Sequence, residues 1–336
     1  MSGFNDTNER ISIRRKRKKS RAEIIKQILC YSLVGVVWIS AALLGIVAAK
    51  KYVQPYNPEI AKHFSYGVFE EVEISEEKCN ILIMGTDKEG LRTDVLMLAQ
   101  IDPDKDSVTV MSIPRDTWVP YKGRKMKITE VHAVGYNSAK GQSKAVRGAK
   151  GSEATIMAVK ELTGVPINYH IKVNFKAFRQ CIDELGGVDF NVPQNMYYKD
   201  PAQDLYINLK KGKQHLNGDK AEQLVRFRRY QNGDLGRIKV QQDFMHALVE
   251  QKLKAKYIGD IVDIYDIIIE NMETLMSPDD FVQCGKQVLS IGTENIQTVT
   301  LPVSMVEGQP YVVPVYSEIE KVREAYFGYD DYGNNV

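Results

Sequence analysis

Two kinds of hydrophobic pattern divide this chain of 336 residues. Ile28 to Ala49 is an apolar run of 22 residues without a charge, closed by Lys50 and Lys51. A helix of about 20 apolar residues crosses the hydrocarbon core of a bilayer. The apolar region of a cleaved signal peptide is shorter, about 7–15 residues. Residues 28–49 are therefore predicted to be an uncleaved transmembrane anchor. Beyond them, short apolar runs bounded by turn residues alternate with stretches of helical period. Cys79–Gly85, Asp94–Ile101 and Ser107–Ile113 read as strands, the last two joined at Asp102-Pro103-Asp104. Ser152–Thr163 reads as a helix with Ser152 as N-cap and Gly164 as stop. Asn168–Val173 is strand-like, Phe175–Leu185 is helix-like with Asn174 as cap and Gly186-Gly187 as stop, and Val188–Val192 is a strand. Helical periodicity runs through Asp219–Leu253 and Pro278–Leu289, and strand patterns recur at Thr298–Val303 and Tyr311–Val315. Helices interleaved with strands predict one α/β domain of about 250 residues.

This divides the chain into a tail over residues 1–27, the anchor over 28–49, a stalk over 50–78 with Pro55, Pro58 and several acidic residues, a folded domain over 79–327 and a C-terminal tail over 328–336. Gly135–Gly151, rich in Gly, Ser, Lys and Ala, is expected to be a mobile loop beside the site.

Charge changes the picture only when counted by segment. Residues 1–27 carry nine Lys/Arg against three Asp/Glu, and seven of those basic residues fall within Arg14–Arg21. Basic residues beside an apolar span stay in the cytoplasm, so the chain is expected to be single-pass, with its N-terminus cytoplasmic and its domain outside. The residues after the anchor hold 36 basic and 40 acidic groups. A slightly acidic domain argues against general nucleic-acid binding. Cys79, Cys181 and Cys284 are expected to be buried free thiols, with neither a CxxC pair nor zinc spacing.

The densest chemistry lies in Arg226–Gln242, where four arginines and Asp234 fall within seventeen residues. On a helix, Asp234, Arg237 and Gln241 share a face at i, i+3 and i+7. On an extended backbone, Arg226 and Arg228 point the same way. A guanidinium forks two donors toward phosphate oxygens, so several on one surface point to a di- or polyanion; a solvated basic helix face is the plainer reading of the same residues. Asp87 and Asp94 flank a Gly-containing loop and can hold Mg²⁺ together with substrate phosphates and water, with Arg92 between them on a phosphate oxygen; an ordinary turn also favours Asp and Gly. Arg115 and Asp116 follow Pro114 at a strand's exit, the edge where ligands bind in α/β sheets, or form a surface ion pair. Arg124–Ile128 reads as a basic turn.

These motifs, in this order, resemble the LytR-CpsA-Psr (LCP) family of bacterial envelope proteins over about 250 residues. The marks are Ile81-Leu82-Ile83-Met84-Gly85-Thr86-Asp87, Arg92-Thr93-Asp94, Ser112-Ile113-Pro114-Arg115-Asp116, the Leu185–Pro193 and His215–Ala221 segments, and the arginine-rich segment through Gln242. The resemblance implies a phosphotransferase that moves an anionic glycopolymer from a polyprenyl-pyrophosphate carrier to peptidoglycan, forming a phosphodiester. It implies an α/β sandwich with a central mixed sheet and an apolar lipid tunnel, at a Gram-positive plasma membrane. Its metal-binding aspartates match Asp87 and Asp94, for Mg²⁺ with Mn²⁺ as an alternative. Its pyrophosphate-binding positions match Arg92, Arg115, Lys127, Arg226, Arg228, Arg237 and Gln241. Asp234 matches an aspartate that orients the arginines, and Arg115, Asp116 and Asp234 are the candidate catalytic residues. Two features depart from the family: Val240 stands where an arginine commonly precedes the paired glutamines, and the Asp87–Asp94 loop is short. Wall teichoic acid, capsular polysaccharide and rhamnose-rich polymers all fit as cargo. The competing readings are a non-catalytic polyprenyl-phosphate binding module, a membrane-anchored regulator or attenuator, and a pyrophosphatase. A cytoplasmic tail of 27 residues has no room for a DNA-binding fold.

Overall fold

The computed structural model describes residues 64, 68–69, 78–87, 90–201, 205–231, 233–252 and 272–330. The anchor and stalk predicted over 28–78 lie almost wholly outside them, and among the described residues no helix is long and apolar enough to cross a membrane.

Strands β1 (Cys79–Thr86), β2 (Thr93–Asp102) and β3 (Ser107–Ser112) form an antiparallel meander. A hairpin of β4 (Trp118–Tyr121) and β5 (Arg124–Lys127) follows, then α1 (Ile128–Ser138) and α2 (Lys144–Thr163). Strand β6 (Tyr169–Asn174) pairs parallel with β1. After α3 (Phe175–Glu184) come β7 (Val188–Val192), β8 (Met196–Asp200), β9 (Leu205–Leu209) and β10 (Gly212–Leu216), which make two small sheets, β7 with β10 and β8 with β9. Helices α4 (Gly218–Arg226) and α5 (Gly233–Lys252) lead to β11 (Met272–Thr274), α6 (Pro278–Ile291) and β12 (Ile296–Thr300). Strands β13 (Val303–Met305) and β14 (Val312–Pro314) pair, and α7 (Tyr316–Val322) follows.

The central sheet has the order β11-β6-β1-β2-β3-β12 and is mixed, as expected for the α/β class. Its strands alternate sides with period two. Leu82 and Met84 join the core beneath α1 and α2, whereas Cys79 and Ile81 join Met276, Cys284 and Ile291 on the other face. Because both faces are covered, β2 is buried almost throughout, and its centre, Val95 to Ala99, is an unbroken apolar run. A third core holds β7–β10 against α3, α4 and α5.

Four expectations need correction. Gly135–Gly151 is mostly not a loop: α1 runs to Ser138, and α2 begins at Lys144 with Ser143 as its cap. Its glycines serve packing. A Cβ at Gly135 would lie 2.3 Å from the Lys150 carbonyl oxygen, and one at Gly151 would lie 2.6 Å from the His132 ring. Ser152 is therefore inside the helix, where its hydroxyl donates to Glu273 at 2.5 Å with the Gly148 carbonyl 3.2 Å away. The helical stretch 219–253 is two helices, because Phe227 is extended and Gly233 takes φ +58°. The basic turn at 124–128 is a strand running into α1.

Candidate functional site

Strands β1, β3, β6 and β12 run in one direction, so their C-terminal ends share one sheet edge, where β2 begins. Asp94, the second residue of β2, is only 7% exposed at this edge. Arg115, just past β3, donates from Nη1 to its Oδ1 at 2.6 Å. Arg228, in the extended break between α4 and α5, donates from Nη2 to its Oδ2 at 3.1 Å. Arg237, on α5, donates to the Asp94 main-chain oxygen at 3.3 Å. Asp234 lies one helical turn before Arg237 and pairs with it at 2.7 Å, while its Oδ1 stands 3.7 Å from Arg115 Nε. Asp116 extends the cluster: its Oδ2 is 3.8 Å from Arg115 Nε and its Oδ1 is 2.8 Å from Lys127 Nζ. The i, i+3 spacing read from the sequence thus joins Asp234 to Arg237, and the fold adds Asp94, Arg115 and Arg228 from distant segments.

Four cations here face three carboxylates, a local excess of positive charge. The buried Nε groups of Arg115 and Arg237 have no hydrogen-bond partner among the described residues. A buried donor left unsatisfied costs about 1–3 kcal/mol, so both guanidiniums keep a demand for negative charge that their present partners do not fully meet. Burial pushes the Asp94 carboxyl up, but the guanidiniums of Arg228 and Arg115 outweigh it and hold it below the ordinary carboxylate range. Burial, together with Arg115 and Arg228, lowers Arg237 to about 10 against the pull of Asp234. It stays cationic at neutral pH, and an incoming anion would restore its preference for charge.

The other candidate residues sit around this centre. Arg226, the last residue of α4, turns back to Glu222 at 2.7 Å and lies 4.5 Å over the Phe175 ring. Gln241 donates to the Val225 carbonyl at 2.9 Å and so braces the break between the two helices. Arg92 is exposed on the β1–β2 turn. In that turn Asp87 accepts the Leu91 N–H at 2.8 Å and its own N–H meets the Arg92 carbonyl at 3.0 Å. Two residues outside the predicted set hold the frame. Gln242 donates to Ser112 at 3.0 Å and to Val299 at 3.2 Å, bolting α5 to the ends of β3 and β12. His132 donates from Nδ1 to the Leu91 carbonyl at 3.2 Å, which fixes its tautomer. The pairing of Gln241 with Gln242 in the sequence was the only signal for the first, and nothing local marked the second.

Among the described residues no three His, Cys, Asp or Glu side chains converge as a metal cage. The donor chemistry at Asp87 and Asp94 still suits Mg²⁺, which takes one or two carboxylates and completes its shell with phosphate oxygens and water. A carboxylate has about four acceptor positions, and Arg115 and Arg228 use two of those on Asp94.

An apolar cavity of about 250 Å³ lies between the sheet and α3 and α5, lined by Ile83, Val95, Met97, Val173, Phe178, Cys181, Phe244 and Leu248 among others. Val95, Val225 and Gln241 also line it, so one end adjoins Asp94 and the arginine segment.

The sequence profile of the LytR_cpsA_psr family matches residues 47–327. The chain is 31% identical over 241 residues to the polyisoprenyl-teichoic acid–peptidoglycan teichoic acid transferase TagU of Bacillus cereus, covering 69% of this chain and 72% of that protein. It is 28% identical over 278 residues to the corresponding transferase TagV of Bacillus subtilis, covering 78% of this chain and 67% of that one. The crystal structure of B. subtilis TagV superposes with a TM-score of 0.60 at 28% identity, covering 74% of this chain and 95% of that chain. A structure of TagT bound to LI-WTA shares the fold at a TM-score of 0.57 and 21% identity, over 76% of this chain and 91% of that chain.

Proposed function

This chain belongs to the LytR_cpsA_psr family, and we propose that it transfers an anionic glycopolymer from a polyprenyl-pyrophosphate carrier to peptidoglycan. The named transferases among its relatives support the reaction class. The observation that carries the reading to this site is the meeting of Arg115, Arg228 and Arg237 on buried Asp94 at one end of an apolar cavity. A pyrophosphate bearing a long hydrocarbon needs both halves of that arrangement.

In the reaction, a hydroxyl oxygen of the acceptor sugar bonds to the phosphorus next to the glycopolymer. The bond from that phosphorus to the bridging oxygen breaks, polyprenyl phosphate leaves, and the hydroxyl proton passes to a carboxylate or water. Phosphoryl transfer relies mainly on positioning and charge stabilisation. Arg115, Arg228 and Arg237 supply both, aligned by Asp94 and Asp234, with no protein nucleophile required. Asp116, held by Lys127 at 2.8 Å, is the carboxylate best placed to take the proton. Asp87 and Asp94 would hold Mg²⁺, which neutralises phosphate charge when bound. The anchor at residues 28–49 would keep the domain on the outer face of the plasma membrane, where such carriers end.

The test is transfer by the full-length chain in detergent, from a short synthetic polyprenyl-pyrophosphate glycan to peptidoglycan fragments, with and without Mg²⁺. Metal- and acceptor-dependent product, lost in Arg115→Ala with the fold retained, is expected. Phosphate release independent of acceptor would identify a pyrophosphatase. Donor binding without product across several glycans would identify a binding module.

A further inference from the structure

Beside the anion site stands an aromatic pair that the transfer chemistry does not use. The rings of Trp118 and Tyr311 stack with centroids 4.3 Å apart and an interplanar angle of 20°. They come from segments almost two hundred residues apart, and the backbone ties them in place. The Val312 N–H donates to the Asp116 carbonyl at 3.1 Å, and Thr117 bridges to Val312. Both rings are half-buried, and neither belongs to any of the three hydrophobic cores. The indole N–H and the phenol O–H have no hydrogen-bond partner among the described residues. Packing alone therefore leaves the polar ends of the pair unused.

Its position is specific. Trp118 is the direct cross-strand partner of Lys127 in the β4–β5 hairpin, so both side chains stand on one face. Val119 and Met126 point the other way, into the core. Lys127 holds Asp116, and Asp116 leads through Arg115 to Asp94. The aromatic pair and the anion site therefore form one continuous surface, with the Asp116 carboxylate at the join. Pyranose rings present an apolar C–H face to the electron-rich face of an aromatic ring while their hydroxyls hydrogen-bond at the rim. Lys127, and Lys125 one pleat further along the same face, add positive charge suited to a carboxylate-bearing glycan.

Resting on the transferase reading, we infer that Trp118 and Tyr311 form the acceptor subsite, a platform on which a peptidoglycan sugar stacks with its reactive hydroxyl directed to Asp116. The acceptor is favoured over the first sugar of the donor because Asp116, the proton-accepting carboxylate, lies between the platform and the phosphate-binding arginines.

The test uses the full-length chain in detergent with Trp38→Phe. The chain contains two tryptophans, so Trp118 then reports alone. Titration with an uncrosslinked peptidoglycan tetrasaccharide should change Trp118 emission saturably, without donor and without turnover. Tyr311→Ala should weaken that binding. In transfer assays, Trp118→Ala and Tyr311→Ala should each raise the acceptor KM by about tenfold, the order expected for one lost stacking contact. Donor affinity should hold, and Trp118→Tyr should recover most of the effect. Emission that responds to the donor but not to the tetrasaccharide would overturn the inference, as would unchanged acceptor KM in both alanine variants. Because the titration needs no chemistry, its failure is distinct from failure of the transferase reading, which shows as absence of product from the unsubstituted chain.

Discussion

Asp94 is the residue on which the site turns. Its carboxylate is held on both oxygens by guanidiniums while its backbone oxygen takes a third. Removing one partner of a buried ion pair costs more than the pair contributes, because the other charge is left uncompensated. Asp94→Asn should therefore lower stability by about 3 kcal/mol, measured by urea denaturation, because Arg115 and Arg228 lose the carboxylate that both of them face. An unchanged midpoint would mean that solvent, rather than Asp94, balances these arginines. The sequence marked Asp94 through its place at a strand start, and it marked the Asp234–Arg237 pair through i, i+3 spacing. It could not mark the bond from Asp94 to Arg228, since nothing periodic links residues so far apart. Arg226 shows the converse: alternation with Arg228 put both on one face, but α4 runs through Arg226 and gives it to Glu222 instead.

At the scale of elements, the crossing of α1 on α2 decides more than the composition of either helix suggests. Gly135 and Gly151 admit the close approach, and His132 fills the space over Gly151. From there His132 reaches the Leu91 carbonyl, and so braces the turn that carries Asp87 and Arg92. Burial lowers His132 to about 4, with Lys172 pushing the same way, Glu273 and the Leu91 hydrogen bond opposing, and His170 adding to the depression. The sign follows from where the proton binds. Between the unfolded value of about 6.5 and the folded value of about 4, the unfolded chain binds the additional proton. The stability contribution is thus intact above that window and is lost as pH falls through it, at up to about 1.4 kcal/mol per pH unit. His132→Asn should flatten the loss of stability in this window, measured by thermal melts at stepped pH. A slope equal to that of the unsubstituted chain would show that other groups carry the acid sensitivity.

For the whole molecule, the sheet is the device that makes one edge serve as a site. Four strands end there together, the cavity opens beside them, and α5 is fastened across by Gln242. If the cavity takes the hydrocarbon of the donor, filling it should change chain-length preference more than headgroup binding. Leu248→Trp should remove the gain in donor affinity with each added isoprene unit while leaving inorganic pyrophosphate binding unchanged. An identical chain-length dependence in the variant would move the lipid elsewhere. Much of this architecture was open to reading beforehand: buried strands from their apolar runs, and α3 from the Asn174 cap. These follow from interactions between near neighbours, which leave a period or a cap in the residues themselves. The strands between Met196 and Leu216 escaped notice because each is only five residues long, and tyrosines at outward positions, Tyr197 and Tyr206, blur the contrast between apolar and polar sites. The glycine-rich stretch looked like a loop because glycine in a sequence signals freedom as readily as close packing; only the neighbouring helix distinguishes the two. The meeting of Asp94, Arg115, Arg228 and Arg237, and the stacking of Trp118 on Tyr311, depend on sheet order and chain crossing. Those are settled by burial across the whole domain, and such long-range choices leave no local pattern to read.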